Sequence, residues 1–122
     1  MPFLDPLSRL EDMRDDIARI EAITAGKAFE DYRADDLLRA AAERTLQRIS
    51  DASRGVPDTL KAGHPDIPWG QLAELGDEIQ HNYDTLDDRA MWAWATERLP
   101  PLKEAVEVML REVEAERAAE GW

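Results

Sequence analysis

Leu7, Leu10, Met13, Ile17, Ile20 and Ile23 recur at steps of three or four residues. A period near 3.6 lines one face of an α-helix, whereas a half-buried strand needs strict alternation. Asp5-Pro6 in front of the stripe supplies a capping side chain and then a proline at the first helical position. Gly26 behind it is a natural stop. Glu11, Asp12, Arg14, Asp15, Arg19 and Glu21 fall off the stripe, so the helix is amphipathic.

The same period returns along the chain. Phe29 and Tyr32 sit in a short polar connector, placed to tuck two rings against neighbouring helices. A second long helix starts at Asp35 or Asp36, is striped by Leu38, Ala41, Ala42, Thr45, Leu46, Ile49 and Ala52, and ends at Gly55-Val56-Pro57. Pro57 to Leu60 can add one turn. Lys61 to Pro68, with Gly63, Pro65 and Pro68, is the one extended loop. The next helix carries Trp69, Leu72, Gly76, Ile79 and Tyr83 on one face. Asp84 to Asp88 forms a boundary, with Thr85 or Asp87 as N-cap. Met91, Trp92, Ala95 and Leu99 then form a buried face, with Trp94 beside it. Pro100-Pro101 is expected to break the chain and open a last helix, striped by Leu102, Ala105, Val106, Met109 and Val113. After about residue 114 the chain is charged and small, which predicts a frayed tail ending in Gly121-Trp122. There is no alternating pattern, internal repeat or low-complexity segment. The fold class is all-α: an up-and-down bundle of about five helices in one domain over residues 1–122.

Composition excludes several chemistries. Without cysteine there is no disulfide, thiolate metal site or cysteine nucleophile. No apolar run approaches the roughly 18 residues of a membrane span, and Met1 to Asp5 lacks the regions of a signal peptide. A soluble cytoplasmic protein, away from membranes, is expected. The net charge of −12 repels phosphate backbones. DNA is therefore not an expected partner, and any RNA contact needs a local basic patch or a partner protein. Solubility is the other use of so much negative charge.

His81, one of two histidines, is the credible general acid or base, because an unperturbed imidazole titrates at about pH 6.5. Asp77, four residues earlier on the same helix face, can hold or charge the ring. A histidine near a helix end also serves as a cap or a partner contact. Asp77, His81 and Asp84 are helically spaced, but 27 acidic residues make such spacing cheap, and no metal-ligand motif is present. Neither a metal nor a cofactor is expected. The glycines form no phosphate loop. The Trp and Met residues fall at core spacing, with Trp69, Trp94 and Trp122 as candidates for exposed interface rings. Gly76 in mid-helix costs up to about 1 kcal/mol against alanine, which another helix in close approach would explain and drift at an unneeded position would too.

Taken in order, Ile67-Pro68-Trp69, a short helix, His81-Asn82-Tyr83, Asp87, Trp92, Leu99-Pro100 and Leu102 resemble the HepT-like branch of the HEPN superfamily. Phe29-Glu30-Asp31-Tyr32 is similar to that family's linker after its first helix. Glu43 to Ala52, with Arg44, Leu46, Ile49 and Ser50-Asp51-Ala52, is similar to its second-helix signature. The resemblance covers roughly residues 5 to 113.

The resemblance implies an HEPN-like bundle that pairs as a C2 homodimer, acting as the ribonuclease toxin of a toxin–antitoxin pair. The implied partner is a minimal nucleotidyltransferase antitoxin, which silences such toxins by adding AMP to a tyrosine. The family motif runs Arg, a polar residue, three more residues, His, any residue, Tyr. Two copies face each other across the dimer axis as a metal-independent RNA-cleaving site. Carried over, His81 is the motif His, Asp77 the polar residue and Tyr83 the modifiable Tyr. The motif Arg position holds Gly76, and no arginine lies between Arg54 and Arg89. Arg44, Arg48 and Arg89 are the candidate RNA or phosphate contacts that could replace the missing charge. Gly76 would lie where the Trp69–Tyr83 helix meets its copy at the two-fold. Two functions follow from the resemblance: a ribonuclease toxin of weak or altered activity, or a catalytically inactive HEPN dimer that binds a nucleotidyltransferase or a nucleotide for regulation. A helical interaction domain without a ligand is the plainest alternative.

Overall fold

The computed structural model describes residues 5 to 121 and is all-helical over them. Helix α1, Pro6–Thr24, starts as its sequence dictates: the Asp5 carboxylate accepts the Ser8 N–H at 2.9 Å, with Pro6 in the first turn. Gly26 leaves the helix at φ +72°, an angle that other residues adopt only with strain. Helix α3, Asp36–Arg54, is capped the same way, by Asp35 on the Leu38 N–H at 3.1 Å. Two short helices, α2 (Phe29–Ala34) and α4 (Asp58–Lys61), flank α3 in the chain. Helix α5, Trp69–His81, follows the proline-rich loop. A 3₁₀ turn over Tyr83–Thr85 leads to α6, Asp88–Ala93, which is capped by Asp87. A π-helical turn, Trp94–Arg98, joins α6 to α7, Leu99–Glu120.

The apolar stripes meet as their spacing requires. Leu10, Met13, Ile17 and Ile20 of α1 lie fully buried against Leu46 and Ile49 of α3 and Leu102, Val106 and Met109 of α7. Helix α3 is sandwiched between α1 and α5, and α1 also packs on α7. Burial of such side chains contributes roughly 1.5–3 kcal/mol each.

Three local expectations change in the structure. The connector at Phe29 is helical because the Asp31 carboxylate accepts the Ala28 N–H at 2.8 Å and opens a turn. Pro100-Pro101 does not break the chain. The π-turn, whose closing bond runs from Leu99 N–H to the Trp94 carbonyl, sets both prolines in the first turn of α7, where helical N–H groups lack partners anyway. Where a frayed tail is expected after about residue 114, α7 runs on to Glu120, with Arg117 reaching Asp5 at 3.1 Å. Of the tryptophans considered as interface rings, Trp94 is buried under the Arg98 guanidinium at 4.7 Å. Trp69 is half-buried and donates to the His64 carbonyl, and Trp122 lies outside the described residues.

Tyr32 anchors α2, its fully buried ring tilted against Trp92 with centroids 5.3 Å apart. Its hydroxyl finds no hydrogen-bond partner among the described residues. Such a group costs about 1–3 kcal/mol on burial. Tyr32→Phe should therefore raise stability by about 1 kcal/mol, read as a higher urea midpoint. Burial, helped by the nearby Glu43 and Asp88 carboxylates and opposed by Arg39, pushes the phenol well above its ordinary value of 10.0. The unfolded chain then loses this proton first. The Tyr32 contribution should be fully present below about pH 10 and be lost as pH rises beyond, a decline that Tyr32→Phe should flatten.

Candidate functional site

The site is built on one face of α5 and the end of α3. Ser50 and Arg54 stand four residues apart on α3 and both point at α5. The buried Ser50 hydroxyl donates to the Ala73 carbonyl at 3.1 Å and accepts the Gly76 N–H at 3.0 Å. A Cβ at position 76 would lie 2.7 Å from Ser50 Oγ and 3.1 Å from Ser50 Cβ, with Asp51 Oδ1 at 3.4 Å. Gly76 is therefore required by the close approach of α3 within the same chain. The expectation that it meets its copy at a two-fold gives way to this contact: a buried residue already packed on Ser50 has no face left for a second chain.

One turn on, Arg54 Nη2 bonds the Ala73 carbonyl and sits 2.9 Å from Asp77 Oδ2. Asp77 does not hold the His81 ring through its carboxylate, as its spacing suggests; that carboxylate bonds Arg54 through Oδ2. The ring is held by the Asp77 backbone instead, with Nδ1 at 2.9 Å from the carbonyl oxygen. A carbonyl only accepts, so Nδ1 carries the hydrogen, and in the neutral ring Nε2 keeps its lone pair. His81 is exposed at the last residue of α5. Asp77 thus joins an imidazole and a guanidinium on neighbouring turns of one helix face.

Tyr83 was expected on the apolar face with Ile79, but α5 ends before it. Asn82 turns the backbone to φ −130°, ψ 31°, and Tyr83 enters the 3₁₀ turn as a residue 71% exposed. The apolar stripe stops at Ile79, and the Tyr83 hydroxyl is open to solvent.

The three arginines nominated as replacement cations lie elsewhere. Arg48 bonds the buried Asp16 carboxylate of α1 at 3.2 Å, sharing it with Arg19 at 2.8 Å. Arg89 covers the Phe29 ring at 4.2 Å. Arg44 is exposed on α3 without an ion pair among the described residues. No bond from any of them reaches α5. Arg98 bonds Gln71 early in α5 at 2.8 Å, but Arg54 is the arginine that reaches Asp77, and sequence spacing missed it because 23 residues and a loop separate the two. The available signal was the Ser50–Arg54 pair opposite a mid-helix glycine. Among the described residues no group of three or more His, Asp or Glu converges as a metal shell, and no helix is long and apolar enough to cross a membrane.

Fold and site together define a helical bundle that presents an imidazole, a guanidinium and a phenol at one end of α5. The HepT-like family model, described as "Ribonuclease HepT-like", matches residues 13–109, and the chain belongs to this HepT-like ribonuclease family. It is 37% identical over 94 residues to "Probable ribonuclease HepT" of Thermococcus cleftensis, covering 77% of this chain and 86% of that protein. It is 29% identical over 86 residues to "Putative RNase TTE0752" of Caldanaerobacter subterraneus, covering 70% and 77% of the two chains. With "Putative RNase MJ0127" of Methanocaldococcus jannaschii it shares 24% identity over 116 residues, covering 95% and 96%. No solved structure matches the chain significantly.

Proposed function

We propose that the chain is the toxin-side ribonuclease of a HEPN and nucleotidyltransferase pair, a metal-independent RNA endonuclease with His81 as its proton-transfer group. The observation that carries this reading is the His81 ring. Its Nδ1–H is fixed on the Asp77 carbonyl, so Nε2 faces solvent as a ready base, in a chain of a ribonuclease family. RNA brings its own nucleophile, the 2′-hydroxyl, so cleavage needs a base, an acid and charge stabilisation rather than a metal-bound water. Two copies related by a two-fold would supply base and acid from paired His81 residues. The test is cleavage of RNA by purified chain with and without His81.

Tyr83 is the control point in this reading. Its exposed hydroxyl stands two residues from His81, where an added AMP would place a phosphate and a base over the site. Incubation with the partner nucleotidyltransferase and ATP should add the mass of AMP to the native chain. Tyr83→Phe should stay unmodified while melting at the native temperature, because the ring buries little surface.

A second reading is a catalytically inactive HEPN dimer that binds a nucleotidyltransferase or nucleotide in a regulatory role. Gly76 at the motif position, the Asp77 carboxylate beside it and the charge of −12 favour it. A stable complex with the partner, from a chain that leaves RNA intact, would select this reading.

A further inference from the structure

On the ribonuclease reading above, we propose that Arg54, reaching over from α3, is the phosphate-binding cation of the His81 site, and that Asp77 occupies its place until RNA arrives. A chain of net charge −12 that handles a phosphodiester needs a fixed cation beside its proton-transfer group. Arg54 is the arginine bonded to this face of α5. Asp77 fixes the geometry, since its carbonyl holds the imidazole and its carboxylate holds the guanidinium. Arg54 is thereby tied to the Ala73–Asp77 turn of α5 and His81 to the turn that follows Asp77, an arrangement suited to one phosphate and its neighbouring ribose.

The donor count on Arg54 supports the same role. Nη2 is committed to Ala73 and Asp77, while Nε and Nη1 have no partner among the described residues. The side chain is 45% exposed, so a ligand can approach it from solvent. A guanidinium fork of this kind recognises a phosphate with two parallel bonds. The Asp77 carboxylate has the shape and charge of the ligand it stands in for, and a phosphate can displace it without leaving the arginine uncompensated. Gly76 belongs to the same device. With no side chain there, Ser50 closes on the α5 backbone and carries Arg54, one turn further along α3, into reach.

The test uses the purified chain and a fluorescently labelled single-stranded RNA. Binding is followed by anisotropy across a salt series, and cleavage on gels. Arg54→Ala is expected to lower cleavage by about a hundredfold or more. It should also flatten the dependence of log affinity on log salt by ~0.7, the share of one phosphate contact on a single strand. Arg54→Lys should recover most of that salt slope, which a merely structural role would not produce, and Asp77→Asn should tighten binding several-fold. Melting curves establish that each variant is folded. An Arg54→Ala chain that binds and cuts as the native chain does, while His81→Ala does not cut, overturns the role of Arg54 and leaves the ribonuclease reading standing. Weaker binding in Asp77→Asn overturns the displacement. If the native chain binds RNA without cutting it, the salt slope alone decides for or against Arg54. If neither the native chain nor Asp77→Asn binds or cuts, the ribonuclease reading fails and the role of Arg54 falls with it.

Discussion

His81→Ala is expected to reduce RNA cleavage by about two to four orders of magnitude while leaving the fold intact. The reason lies in what the ring touches. Among the described residues its one hydrogen bond is to the Asp77 carbonyl, at the exposed end of α5. Losing that bond costs about 0.5–1 kcal/mol, and the carbonyl it frees can turn to water. The proton-transfer group, by contrast, disappears entirely. Gel assays of cleavage beside a melting curve separate the two effects. Equal cleavage by native and variant chains would move the chemistry away from α5. A native chain that leaves RNA intact, yet binds its partner, would favour the regulatory reading.

Gly76→Arg is expected to destabilise the chain by about 2–4 kcal/mol rather than restore a missing arginine. Even the first atom of the new side chain would fall 2.7 Å from Ser50 Oγ. Ser50 cannot yield cheaply. It is fully buried, and its hydroxyl serves both the Ala73 carbonyl and the Gly76 N–H. Turning it aside would leave those groups unpaired, and moving α3 would disturb a helix that also packs on α1. Urea unfolding should show a lower midpoint for Gly76→Arg, partly recovered in a Ser50→Gly background. A native midpoint in the single variant would mean that α3 and α5 stand further apart than they do here. Gly76 is thus a packing residue in this chain, and a cation at the site has to come from another helix.

The bundle was legible in the sequence because helices announce themselves locally. Asp5, Asp35 and Asp87 all cap helices through side-chain bonds to the next turn, and Gly26 and Gly55 end them. Leu10, Met13, Ile17, Ile20, Leu46 and Ile49 are buried as their spacing requires. Pro100-Pro101 misled because proline ends a helix only where an N–H is needed, and the π-turn removes that need.

The sequence by itself determined the all-α class, the capped starts of α1, α3 and α6, and the choice of His81 and Tyr83 as the groups to watch. Each depends on residues within one or two turns of one another. Only the tertiary structure decided which arginine meets Asp77, why position 76 is glycine, and that Tyr83 faces solvent. Arg48 and Arg54 are both cations on α3, yet one turns to Asp16 on α1 and the other to Asp77 on α5. Their six-residue offset along the helix sends them to opposite neighbours, and only the packing of α3 between α1 and α5 says which neighbour each one finds.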